Sequence, residues 1–176
     1  MKSQFVLCGA LLALGAAAAV QAQGAGPTDA QIAAIVVTAN QVDIDAGKLA
    51  QSKAHAAEVK GFGERMVTDH SAVNKSATEL VQKLHVTPEA NGTSESLQKG
   101  GDQNLAALKK LSGAAFDKAY IDHEVTYHEA VLSALDKTLI PSAQNAELKA
   151  LLVKVRPAFE AHLQHAKQIQ SKLANG

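Results

Sequence analysis

The 176-residue chain predicts an all-α domain, an antiparallel four-helix bundle with a long crossover connection between its second and third helices. Three observations lead there. The composition is rich in Ala, Leu, Lys and Gln, while aromatic residues make up 3% and Trp is absent, so helix formers outweigh strand formers. Apolar residues recur with the helical period in four long windows. The breakers between those windows leave two short links and one long one, the count of a bundle with a single crossover.

The N-terminal MKSQFVLCGALLALGAAAAVQAQG comes before the first window. It has one lysine, an apolar run over 5–20 and a Val20-Gln21-Ala22 triplet with small residues placed for signal peptidase. Residues 1–22 are therefore expected to be a cleaved signal peptide, with Gln23 the first mature residue. The run is Ala-rich, shorter than the ~20 residues a span needs and followed by no positive flank, so no transmembrane span is expected in the mature protein. Cys8 follows Phe5-Val6-Leu7 where a lipid anchor would want a small residue. A mature chain without cysteine excludes disulfides, thiolate metal sites and cysteine nucleophiles. Residues 23–27 are expected to be a disordered N-terminus, and 28–173 a single domain long enough to bury a core. With 17 basic and 17 acidic residues and no basic block, nucleic-acid binding has no support. Nothing in the sequence specifies a protein partner.

The first helix is predicted over 28–50, with Thr28 as N-cap and Ile32, Ile35, Val36, Val42, Ala46 and Leu49 on one stripe. The second is predicted over 57–84, with Val59, Phe62, Met66, Val73, Ala77 and Leu80 in line. A polar connection over 85–101 follows, broken by Pro88, Asn91-Gly92 and Gly100-Gly101, and a short helix is predicted over 103–111. The third long helix is predicted over 112–139, stopped by Pro141 and Ser142. The fourth covers 143–173, with Leu148, Leu152, Val155, Phe159, Leu163 and Ile169 inward. Pro157 cannot donate to the Val153 carbonyl and is expected to bend it.

Polar residues inside these stripes carry the chemical information. A helical wheel sends most charged side chains outward, but it places Asp43, His70, Glu124, His128 and His162 among apolar neighbours. Asp69, His123 and His165 fall at the margin, and His55 and His85 read as connection residues. Tyr120 and Tyr127 are expected to be core aromatics with satisfied hydroxyls. Buried carboxylates are costly unless they find each other, water or a metal. Imidazole and carboxylate are ligands of Zn, Fe, Mn, Ni and Cu(II), and helical proteins build such sites in bundle cores. Three roles stay open on the residues alone: hydrogen-bonded core groups, a metal site and catalysis. With links near residues 52 and 141, helical rise puts His70 and His128 at one height and Asp43 with His162 on a level ~12 Å away, Glu124 lying between. That predicts two polar layers, or one site beside a layer of structural hydrogen bonds. No serine nucleophile with its base, phosphate-binding glycine loop or HExxH zinc helix is present.

The segments MVTDH over 66–70, AAFDKAYIDHEVTYHEAV over 114–131 and RPAFEAHLQHA over 156–166 resemble the exported bacterial family catalogued as domain of unknown function 4142. The resemblance covers nearly all of 29–173. It implies a ferritin-like fold and a periplasmic or outer-membrane setting, and its recurring histidines correspond to His70, His128 and His162. Di-iron ferritin-like sites use a Glu-x-x-His pair on two helices. Here Val67 and Phe159 stand three residues before His70 and His162, so a di-iron oxidase site has no support. Binding rather than turnover is expected, with a transition-metal ion held by His70, His128, His162, Glu124 and Asp43 in envelope or stress physiology. The alternative is a structural or interaction protein of the envelope whose buried histidines and acids specify the fold.

Overall fold

Thr28 starts the first helix with a reciprocal cap: its hydroxyl accepts from the Gln31 amide at 3.2 Å, and the Gln31 side chain accepts from the Thr28 amide at 3.1 Å. From there the computed structural model describes residues 26–175; the expected leader over 1–22 and residues 23–25 lie outside them. Among the described residues every regular element is helical: α1 Asp29–Lys53, α2 Ala57–Lys83, α3 Gly92–Leu108, α4 Gly113–Ala134 and α5 Ala146–Asn175. A π-helical turn, Leu135–Leu139, and a last α turn, Ile140–Ser142, prolong α4. None of the described helices is long and apolar enough to cross a membrane.

α1 packs on α2 and α4, and α5 packs on the same two, around one apolar core to which α3 adds Leu108. Phe62, Met66, Phe116, Tyr120, Ile121 and Leu152 are fully buried there. The long connection is not the irregular segment its Pro, Asn and Gly residues predict. From Gly92 onward it is α3, which lies against α1 and α4. Asn91 is the N-cap of α3, accepting from the Thr93 and Ser94 amides, rather than a breaker. Gly101 is the contact that lets α3 approach: a Cβ there would sit 2.7 Å from Val42 Cγ2. The separate short helix predicted over 103–111 is the end of this element.

α4 also runs past its predicted stop. Pro141 has no amide and its ring crowds the Lys137 carbonyl, and the chain takes a wider π turn just before it, with the Ile140 amide bonded to the Leu135 carbonyl. α5 then begins at Ala146, where Asn145 accepts from the Glu147 and Leu148 amides, rather than at 143. It stays helical through Pro157, which shares the exposed side with Val153, so water can take the place of the missing donor.

Two acidic side chains clasp the links. Asp117, from the first turns of α4, accepts from the His55 and Ala56 amides between α1 and α2 at 2.9 and 2.7 Å. Asp29, from the first turn of α1, accepts from the Gln144 and Asn145 amides before α5, both at 2.9 Å.

α1 and α2 touch backbone to backbone at Gly47 and Gly63: a Cβ on Gly63 would lie 2.8 Å from Ala50 Cβ and 2.9 Å from the Gly47 carbonyl oxygen. Alanine at a helix-interior glycine ordinarily gains about 1 kcal/mol. Gly61→Ala and Gly100→Ala, with nothing within 4 Å, are expected to show that gain. Gly63→Ala is expected to destabilise by about 1–3 kcal/mol instead, since backbone cannot move aside as a side chain can. Urea melts of the three variants check the change of sign.

Candidate metal centre

The four core helices each contribute to one buried cluster. α1 supplies Asp43, α2 His70, α4 Glu124 and His128, and α5 His162, all at most 2% exposed. The three imidazoles form a near-equilateral triangle, with ring centroids 5.7 Å apart for His70 and His128, 5.2 Å for His70 and His162, and 5.5 Å for His128 and His162. One ligand atom from each lies within 4.8 Å of the others. Asp43, Glu124 and His128 meet the same criterion, so His128 joins two triads.

The two separated layers expected from helical rise are therefore replaced by one contiguous cluster. The reason is where the links fall. The α4–α5 link lies around residue 144, not 141, which brings His128 and His162 to within ~3 Å in height instead of ~12 Å. The α1–α2 link lies around residue 55, not 52, which brings Asp43 towards the level of His70 in the same way. A carboxyl oxygen of Asp43 is 3.4 Å from His70 Nε2.

Each ring has one nitrogen committed to an outer acceptor. His70 Nδ1 meets Asn40 Oδ1 at 2.7 Å, and the Asn40 amide nitrogen donates to the Val36 carbonyl at 2.8 Å, which fixes the amide orientation and makes Nδ1 the donor. His128 Nδ1 donates to the Glu124 carbonyl at 3.0 Å. His162 Nε2 donates to Asp69 at 2.8 Å. The second nitrogen of every ring, His70 Nε2, His128 Nε2 and His162 Nδ1, is a lone pair buried without a hydrogen-bond partner. The Tyr120 hydroxyl is buried and unpartnered as well, and Glu124 finds a partner only in Asp43, once one of the two is protonated. Buried polar atoms rarely lack partners in such number. Metal-binding histidines characteristically donate their other N–H to a carboxylate, amide or carbonyl, as all three do here.

Asn40 and Asp69 complete the cluster and are not among the residues predicted from sequence. Asn40 is uncharged, so a search for ionisable groups passes over it, although it shares the stripe of Val36 and Asp43. Asp69 sits at the edge of its stripe, where α5 comes against α2. Asp117 is a third, buried although its sequence position suggests a helix-start charge. Tyr127 donates to the Ala39 carbonyl at 3.0 Å, as expected, whereas Tyr120 does not satisfy its hydroxyl. His123 stacks on Tyr127, and His165 packs edge-on against Phe62; neither joins the cluster.

Burial decides the protonation states. It lowers His70 well below the usual imidazole range, helped by His128 and His162, and lowers His128 to about 4. It also lowers His162, against the opposing pull of Asp69. Burial raises Asp43 to about 8 and Glu124 well above the carboxylate range. Two carboxylates facing each other cannot hydrogen-bond unless one is protonated, and a proton on Glu124 makes it a donor to Asp43. At neutral pH the cluster thus presents neutral rings and protonated acid.

These shifts oppose one another in stability. The histidines, depressed in the folded state, contribute stability that is complete above pH 6.5 and lost as pH falls toward about 4. Asp43, raised in the folded state, contributes stability present below pH 3.8 and lost as pH rises through about 8. Three rings outweigh two acids below pH 6.5, and the acids act alone above it. The melting temperature of metal-free protein is therefore expected to peak near pH 6.5 and fall on both sides, as scans in chelator across the pH range check.

Fold and cluster define a protein that is all-helical over its described residues and whose buried histidines and acids stand close enough to hold a metal ion. A family described as a domain of unknown function (DUF4142) matches residues 14–169, and the chain belongs to it. No curated protein and no solved structure matches the chain.

Proposed function

We propose that this chain is an exported, periplasmic protein with a ferritin-like four-helix bundle, which binds a transition-metal ion through His70, His128 and His162 together with Asp43 and Glu124. One observation carries the reading: three rings whose tautomers are set by outer acceptors leave three buried, unpartnered lone pairs in a triangle. Neutral imidazole and oxygen donors suit Zn, Fe, Mn, Ni and Cu(II) alike. The closed ring of contacts among α1, α2, α5 and α4 supports the bundle, and the apolar N-terminal run supports export. The absence of Glu-x-x-His pairs favours binding, in envelope or stress physiology, over di-iron turnover.

Metal analysis of protein purified without a histidine tag, after each of these ions has been offered, tests the reading. Stoichiometric metal in the parent and none in His128→Ala is expected. A parent that retains no ion at stoichiometry overturns the reading and leaves the buried groups a fold-specifying role.

A further inference from the structure

Beside the histidine cluster a cavity of about 380 Å³ opens between α1, α3, α4 and α5. Its walls are aliphatic and aromatic, among them Ile35, Val131 and Leu152, and no charged side chain lines it. The volume is within the range of small-molecule pockets and well above the ~150 Å³ that takes up benzene. Small side chains keep it open: Ala39 and Ala134 face it where larger residues would fill it, and the π turn contributes Leu135 and Leu139 to its wall. Its outer rim carries the exposed Thr93 and Thr138.

Two other lining residues, Asn40 and Phe159, both touch His70. Asn40 Oδ1 accepts from His70 Nδ1, and Phe159 stacks on the ring at 4.9 Å with planes 20° apart. An occupant would therefore lie one side chain from the cluster. A charged occupant would lose hydration and find no counter-charge, while an apolar one loses nothing. Hydroxyls at the rim can accommodate one polar end.

We propose that this cavity binds an uncharged, largely apolar small molecule, and that its occupancy is felt at the histidine cluster through Asn40 and Phe159. The binding stands apart from the metal; the coupling rests on the metal-binding reading above.

N-phenyl-1-naphthylamine, an uncharged apolar fluorophore, titrated into the untagged metal-free protein is expected to brighten saturably at one site. The anionic 8-anilino-1-naphthalenesulfonate is expected to bind at least about tenfold more weakly. Ala134→Trp, which fills the cavity, and Thr138→Trp, which blocks its rim, are each expected to weaken the neutral probe by about tenfold or more, with an unchanged helical circular dichroism spectrum. No saturable binding, equal affinity for the anionic probe, or undiminished binding to both folded variants overturns the cavity assignment. In protein loaded with Co(II), saturating neutral probe is expected to shift the visible absorption of the ion. An unmoved spectrum with both bound overturns the coupling alone. Failure to bind Co(II) or any other offered ion overturns the metal reading and the coupling with it, while the probe titration still decides the cavity.

Discussion

Replacing His128 with alanine is expected to abolish the metal-dependent rise in melting temperature, because His128 belongs to both triads of candidate ligands. An ion supplied at a thousandfold its Kd stabilises the folded state by about 4 kcal/mol. For a domain of this size that is a rise of about 8–16 °C. The ring is 1% exposed, so its removal also leaves a cavity and lowers stability without metal. The two effects separate in a four-way comparison of parent and variant, each with and without ion. The parent should show the rise, and the variant one low midpoint in both conditions. A variant that still melts higher with metal would show that the ion sits elsewhere.

Asp117→Ala carries the second large expectation. Its carboxylate is 1% exposed and holds two backbone amides of the α1–α2 link, at His55 and Ala56. A hydrogen bond to a charged group contributes about 1.5–3 kcal/mol, and the alanine variant removes two whose acceptor is buried, so a loss of about 3–6 kcal/mol is expected. Asp117→Asn keeps one acceptor and should lose about half as much. The corresponding clasp at Asp29 is made by a carboxylate that is only half-buried, where water competes for its hydrogen bonds, so Asp29→Ala should cost only about 1–2 kcal/mol. Urea denaturation at constant slope is the measurement, and equal losses at the two clasps would contradict the role assigned to burial.

The five clustered residues were legible in the sequence because each breaks an apolar stripe: Asp43 beside Val36, His70 after Met66, Glu124 and His128 with Tyr120 and Leu132, His162 near Phe159. Helical angle survives an error in where a helix ends, since it depends only on spacing within the element. Height does not. Placing two links about three residues early was enough to split one cluster into two layers, since each residue moved across a link counts on both of the helices it joins. α3 escaped for a different reason. Asn91 and Gly101 are breakers by propensity, but one is a cap and the other a contact with Val42, and both roles depend on a partner the local sequence does not name. Asn40 and Asp69 became visible only when helices were brought together, since their importance lies in the ring each one holds.

The sealing of the cluster has a kinetic side. His162 is fully buried, while Asp69, which holds its ring, has a side chain 37% exposed and also bonds Arg65 at 3.3 Å. Among the residues around the triangle, Asp69 reaches water where the five candidate ligands do not. An incoming ion would meet that carboxylate first and then wait for a local opening of α2 against α5, so exchange would be set by how often the helices part rather than by how tightly the donors hold. A chelator could then outcompete the protein at equilibrium and still take a long time to strip it. For such a protein the time allowed for equilibration, as much as the affinity, decides what is found bound.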